Sequence, residues 1–509
     1  MRQNPVSSSA SFVSKTSYLA GLQCRKLLWT LRNAPHLIPA PDAQVLANFD
    51  QGKKVGDLAK QLFSDGIEID NGVDVDNFER VVVESQEALK LRRPLYEAAF
   101  VYNGGLARAD ILVPVGDDKW NLIEGKSTTS VEDIHLHDLA FQLFVLTGAG
   151  LKIQRCILAH VSPDFVKNGP IDPHEFFVLA DVTDHVSALS TSIEANLNEM
   201  FSTIRLPQAP EMQIGQHCDR PYACPLRDRC WNHLPNGSVV ELYRGGAKRF
   251  RLLENGITRL TDIPENVPLT DNQRIQRQTA ITGQPHVDKA AIKAFLDRLQ
   301  YPVSFLDFET IGVAVPLFDG VRPYEQVVFQ YSLHIVRSPV AEQEHQKFLA
   351  EGTNDPRPEF MRRLRDALPT EGSVIAFNAG FELGRLNECS DMMPEFLPWV
   401  CGVKRRIVDL LAPFRKFVFY SPQQEGSCSM KQVLPALIGV DYSHLEIQDG
   451  SAASREFFRV TFGSVSAEER TAIRRQLDEY CGLDTIGMVW IIDAMRRLAQ
   501  LSTGYRVVH

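Results

Sequence analysis

The sequence predicts an α/β protein of more than one domain. At 509 residues the chain holds about two to four domains at roughly 150 residues each. Short apolar, β-branched runs bounded by turn-forming residues alternate with amphipathic stretches of helical period. This alternation stops near residue 236, gives way to short pieces rich in Gly, Pro and Asn, and resumes near residue 301.

In the first stretch, "ARADILVPV", "KWNLIEGKST" and "KIQRCILAHV" read as adjacent strands. Between the last two, "VEDIHLHDLAFQLFVLTGAG" reads as a helix ending at glycine, so the order is strand, strand, helix, strand. Residues 236–300, with "ENGITRLTDIPENVPLT", read as a small helical connector. From 301 to 509, "PVSFLDFET" and "EQVVFQYSLHIV" read as neighbouring strands and "GSVIAFN" as a buried one. A long amphipathic helix is expected over "AEERTAIRRQLDEYCGLDTIGMVWIIDAMRRLAQL". No internal repeat relates the two halves.

A hydrophobic fraction of 44% and a charged fraction of 23% are ordinary for globular enzymes. The net charge of -9 argues against a protein that coats nucleic acid through bulk electrostatics. It leaves a nuclease open, because carboxylate-rich sites lower the net charge while a local basic groove still steers a strand. The runs "LYRGGAKRFRLLENGITR" and "VKRRI" are the basic candidates, weighed against plain solvated faces. No run of about 18 apolar residues exists to span a membrane. The Ser-rich N-terminus lacks the continuous apolar stretch of a signal peptide. A cytoplasmic location follows as the expectation, and with it nine cysteines that serve as thiols or metal ligands rather than disulfides.

Chemistry concentrates in two places. Asp110 lies in one expected strand, and Glu124 and Lys126, two apart in the next, share a face. Two carboxylates there suit a divalent cation that activates water, and the lysine suits charge developing on a phosphate. Glu97 is a candidate further ligand. An E-x-K pair alone is weak evidence, since strand faces often alternate charge. With its surroundings, the set resembles the RecB-like branch of the PD-(D/E)XK nucleases. The resemblance implies a restriction-endonuclease-like domain over residues 1–235, with Asp110 as the motif aspartate, Glu124 and Lys126 as the E-x-K, and Gln142 as the glutamine of the following QxxxY helix. Leu146 stands where that helix usually carries tyrosine, and "FDQGKKVGDLAKQLF" has no histidine where many relatives bind metal.

Cys218, Cys224 and Cys230 recur at equal spacing in "HCDRPYACPLRDRCW", with Cys24 far upstream. Four thiolates are the ligand set of an iron–sulfur cluster. The split of one plus three around the catalytic residues resembles the cluster-bearing RecB-like nucleases and implies a 4Fe-4S staple joining the ends of the domain. A Zn²⁺ site, with His217 or His233 in place of Cys24, is the rival, and unliganded cysteines are the bland alternative.

The second concentration is "FLDFET", which puts Asp307 and Glu309 on one face of a strand. Tyr480 and Asp484 sit one turn apart on the long helix. Asn378 and Glu382 follow a buried strand, and Asp409, in "RIVDLLAPF", is expected to sit behind the ligands or to face substrate. This set resembles the DnaQ-like exonucleases of the DEDD superfamily across residues 301–509, "DFET", "FNAGFE" and "YCGLD" matching its three ordered motifs. The resemblance implies an RNase H-like fold and two Mg²⁺ or Mn²⁺ ions, about 3.5–4 Å apart in such sites. Asp307, Glu309, Glu382 and Asp484 would be the ligands and Tyr480 would position the attacking water. Glu382 stands where the superfamily usually has aspartate, and Lys431 in "GSCSMKQVLPALIG" is a candidate phosphate contact.

The expectation is a metal-dependent nuclease acting on nucleic acid, single-stranded DNA favoured over RNA, that degrades from the 3′ end and has no membrane partner. The fusion resembles a bacterial family joining these two domains. One alternative is a nucleic-acid-binding module with one or both sites inactive, favoured by Leu146 and Glu382. Another is a redox sensor built on the cysteines.

Overall fold

The computed structural model describes residues 12–69, 78–339 and 341–500. The chain is α/β and divides into two compact units, Met1–His233 with Val313–Tyr324, and Leu234–Gly312 with Glu325–His509.

The first unit is built on a seven-stranded sheet. Its strands are β1 (Val13–Ser14), β2 (Ile67–Glu68), β3 (Leu95–Tyr102), β4 (Gly105–Val115), β5 (Lys119–Lys126), β6 (Lys152–Val161) and β7 (Phe177–Asp181). They run in the order β2-β3-β4-β5-β6-β7, with β1 parallel to β4. β3, β4 and β5 form antiparallel neighbours, while β5 and β6 are parallel. A parallel pair needs a crossover, and the helix Asp133–Gly148 supplies it. That helix starts at a reciprocal cap in which Glu132 and His135 exchange side-chain and backbone bonds. Its Leu139, Ala140, Phe141, Val145 and Leu146 are buried in the main core with Leu95, Leu112, Leu122 and Leu158 of the sheet. The expected strand, strand, helix, strand order is therefore present. Val313–Tyr324 also belongs to this unit: Ala314 is buried beside Val55 and Phe165, and Tyr324 Oη donates to the Ser127 carbonyl at 2.6 Å.

In the second unit, β8 (His286–Val287) pairs with β14 (Phe419–Tyr420). The main sheet holds β9 (Val303–Ile311), β10 (Val327–Val336), β11 (Gln343–Leu349), β12 (Val374–Ala376) and β13 (Ile407–Asp409), in the order β11-β10-β9-β12-β13. The first three are antiparallel, and β12 and β13 run parallel to β9. β10 is buried at every position, and its polar Gln330, Ser332 and His334 are met by the long helix, Gln330 at Leu477 and the other two at Thr485. β11, "QEHQKFL", is an edge strand protected by polar side chains, and for that reason hydrophobic patterning does not reveal it. Ala467–Leu498 is one helix of 32 residues, capped by Ser466. Glu468 and Glu469 lie in its first turn and Arg496 and Arg497 in its last, matching the helix dipole.

Residues 236–300 form short helices in this second unit, among them Ala247–Glu254 and Asp271–Thr282. Both basic runs are partly tied to the backbone. Lys248 donates to the Pro268 carbonyl and to Gln273, and Arg406 donates to the carbonyls of Glu371, Gly372 and Pro369. Among the described residues, no helix is long and apolar enough to cross a membrane.

Candidate functional site

In the first unit, β4 delivers Asp110, β5 delivers Glu124 and Lys126, and the crossover helix delivers Gln142. The structure brings all four together. Lys126 Nζ donates to Glu124 at 2.7 Å, and Gln142 Nε2 donates to the other Glu124 oxygen at 2.8 Å. Asp110 accepts from the Gly125 amide at 3.1 Å. Two further residues complete the cluster. Asp138, one turn before Gln142, accepts from Lys126 at 2.7 Å and from Gln142 at 2.9 Å. Lys15 donates to Glu124 at 2.8 Å and lies 3.6 Å from Asp138 and 3.9 Å from Asp110.

Burial and like charge set the protonation here. Burial, then the neighbouring Glu124, push the Asp110 carboxyl up to about 7. Burial also works to raise Glu124, but Lys126 and Lys15 overcome it and hold Glu124 well below the usual carboxylate range. Burial disfavours the charge on Lys126, yet Glu124 and Asp138 reverse this and keep it ammonium. Gln142 turns its Nε2 to the two carboxylates, and its buried Oε1 has no hydrogen-bond partner. Glu97 is ion-paired: Lys60 lies 3.2 Å from one oxygen and Arg108 3.0 Å from the other. Leu146, one turn after Gln142, is buried in the core.

The four cysteines converge. Cys24, Cys224 and Leu226 are buried in one apolar cluster against which Cys230 packs, and Cys218 is buried beside it. Cys24 sits where the helices Lys15–Gln23 and Arg25–Asn33 meet. Burial raises its thiol, while the amides of Leu27 and Lys26 at the start of the second helix favour the thiolate. Burial likewise pushes Cys224 up to about 11. Gln23 donates to the carbonyls of His217 and Tyr222, at 2.8 and 2.7 Å, tying the upstream helix to the cysteine loop. Among the described residues, the group of ligand atoms lying within 4.8 Å of one another is Asp307, Glu309 and Cys481.

In the second unit, Asp307 and Glu309 project from β9, Glu382 from the helix Ala379–Met392, and Tyr480 and Asp484 from the long helix. Burial and the neighbouring Asp484 raise both Asp307 and Glu309 well above the carboxylate range, with Glu382 adding to each. Burial raises Asp484 to about 6 against the opposing pull of Tyr442 and Lys431. Burial, then Asp409, push Glu382 up to about 8. Its Oε2 is buried without a hydrogen-bond partner. Carboxyls that raise one another in this way are a site short of positive charge, which divalent ions supply.

Tyr442, from outside the helix, donates to Asp484. Lys431 Nζ lies 5.8 Å from the ring centroids of both Tyr442 and Tyr480. Burial and Asp484 raise the Tyr480 phenol far above its ordinary value, so it stays a hydrogen-bond donor. Cys481 Sγ is buried 3.8 Å from Asp307 Oδ2. Asp409 lies near Glu382, accepts from the amides of Asn378 and Leu411, at 3.2 and 3.0 Å, and steadies the turn into the Glu382 helix. Asn378 takes φ 88° there, a region asparagine tolerates better than most residues.

Lys15, Asp138, Tyr442 and Cys481 are the site residues that motif reading missed. Asp138 had a signal, its i−4 spacing from Gln142, and Cys481 adjoins Tyr480. Lys15 and Tyr442 had none, since 109 and 42 residues separate them from Glu124 and Asp484.

Comparison with known proteins adds similarity without a function. Residues 304–429 match a domain of unknown function, DUF2779. The chain is 26% identical over 219 residues to the Uncharacterized protein MG366 homolog of Mycoplasma pneumoniae, covering 39% of this chain and 33% of that one. It is 24% identical over 219 residues to Uncharacterized protein MG366 of Mycoplasma genitalium, covering 38% and 32%. The match thus spans about a third of the length of these relatives. Among solved structures, that titled "Crystal structure of SSO0001" aligns at 13% identity and a TM-score of 0.21, covering 46% of this chain and 90% of the other.

Proposed function

We propose that this chain is a metal-dependent nuclease that hydrolyses phosphodiester bonds, single-stranded DNA being the favoured substrate, with a 3′ to 5′ exonuclease centre in its second unit. The observation that carries the reading is the convergence of four carboxyls, the buried Glu309 and Glu382 and the half-buried Asp307 and Asp484, with the phenol of Tyr480. The order β11-β10-β9-β12-β13, antiparallel then parallel, supports an RNase H-like fold for this unit. The β4–β5–helix–β6 arrangement with Asp110, Glu124, Lys126 and Gln142 at one place supports a PD-(D/E)XK fold for the first.

Mg²⁺ or Mn²⁺ held by the carboxylates would act as a Lewis acid and lower the pKa of bound water. In the second centre, Tyr480 keeps its proton and offers a donor that orients the attacking water. Lys431, between two phenol rings, offers an ammonium to a substrate phosphate. In the first, Lys126 stays charged and offsets negative charge developing on phosphate. Four converging thiols, Cys24, Cys218, Cys224 and Cys230, are the donor set of a 4Fe-4S cluster, which would have a structural role here.

The test is a time course on 5′-labelled single-stranded DNA and RNA with Mg²⁺ or Mn²⁺. Shortening from the 3′ end is expected in wild type and lost in Asp307→Ala, and Lys126→Ala reports the first centre. Full activity in both variants refutes the assignment. Binding without shortening in wild type would move the chain to the binding-module reading.

A further inference from the structure

The first centre carries a cation of its own. Lys15 opens the helix Lys15–Gln23, directly after the two-residue strand β1 that pairs with Gly105 and Leu106 of β4. Tyr18, one turn on, stacks against Phe141 of the crossover helix at 4.8 Å and accepts a hydrogen bond from Asn196 at 2.9 Å. Strand pairing and this aromatic contact fix the start of the helix, so the Lys15 ammonium is aimed, not wandering.

It is aimed at the oxygens an ion would need. Glu124 Oε1 receives Lys15 at 2.8 Å and Lys126 at 2.7 Å, which fills both lone pairs of that oxygen, while Oε2 receives Gln142. Asp110 Oδ2 accepts the Gly125 amide, and its Oδ1 faces Lys15 at 3.9 Å. An ion shared by Asp110 and Glu124 therefore meets Lys15 both as a rival for Glu124 Oε1 and as a positive charge a few ångströms away.

We infer that Lys15 is a built-in competitor for the divalent ion of the first centre, so that metal binds between Asp110 and Glu124 only when this ammonium withdraws from Glu124. The inference rests on the nuclease reading of that centre. It makes Lys15 a positioning residue that sets metal affinity, beside Lys126, which shares the same Glu124 oxygen and also donates to Asp138 at 2.7 Å.

The experiment uses the full chain with Asp307→Ala and Asp484→Ala silencing the second centre, and titrates Mn²⁺ by the electron paramagnetic resonance signal of the free ion. Lys15→Met and Lys15→Gln, two ways of removing the charge, are each expected to tighten Mn²⁺ binding by about tenfold or more. Lys15→Arg, which keeps the charge, is expected to stay as weak as wild type. Mn²⁺ should also raise the melting temperature of the charge-removed variants more than that of Lys15 protein, because tighter binding to the native state stabilises it further. Glu124→Gln provides the blank. Equal affinity with and without the Lys15 charge, above that blank, overturns the inference and leaves the nuclease reading standing. No binding above the blank in any Lys15 form overturns both.

Discussion

Protonation of His334 should be a principal acid weakness of the second unit. The residue lies buried on β10, its ring stacked on His345 at 4.1 Å with planes 7° apart, and its Nδ1 is 2.8 Å from Thr485 Oγ1. Ser332 extends the network, 2.6 Å from Thr485 and 2.9 Å from His345. Burial, then the facing His345, push His334 down from 6.5 to about 3. The sign follows directly: above 6.5 neither state is protonated and the full stability is present, whereas below it the unfolded chain gains a proton that the folded chain refuses. Stability is therefore lost as pH falls from 6.5 towards 3. At roughly pH 5 the loss is about 2 kcal/mol, set by the 1.5 units below the unfolded value and insensitive to the folded one. For a unit of this size that corresponds to roughly 4–8 °C in melting temperature. Urea unfolding of wild type and His334→Gln, read as the difference between their stability curves, isolates this residue from titrations common to both. The difference should be flat above about pH 7.5 and change by about 2 kcal/mol by pH 5, in favour of the glutamine variant. Parallel curves across that range would refute the buried neutral placement. His345 is also pushed down by burial and then Lys347, so its replacement should shift the curve in the same direction.

Two other outcomes test particular placements. Leu146 is completely buried among the core residues of the first unit, so Leu146→Ala should cost about 2–5 kcal/mol by denaturant unfolding and Leu146→Tyr about 1–3 kcal/mol through overpacking. A stable Leu146→Tyr with raised cleavage would show that the position faces the site. With the proposed 4Fe-4S cluster in place, Cys24→Ser should abolish iron and acid-labile sulfide in the purified protein and lower the melting temperature of the first unit, since binding of such a cluster would be coupled to folding. Unchanged iron content would remove Cys24 from the ligand set.

Local spacing made much of this chain readable. Asp307 and Glu309, two apart, share the face of a strand, and Tyr480 and Asp484, four apart, share the face of a helix, because the periods of the two elements are fixed. The crossover helix over Asp133–Gly148 was legible from its period and its glycine end. Elements whose patterns are short or polar were not: β13 has three residues, and β11 has a run of exposed polar ones.

The sequence by itself determined which elements form and which carboxylates, cysteines and lysines they carry, because those properties depend on neighbours a few residues apart. Only the tertiary structure decided who meets whom. It placed Lys15 on Glu124, Tyr442 on Asp484 and Cys24 beside Cys224. It also gave Glu97 to Lys60 and Arg108, and Asp409 to the Asn378 turn. The physical reason is that such partners are chosen by how sheets and helices pack. A buried charge must then be met by whatever group the packing brings within reach, however far away that group lies along the chain.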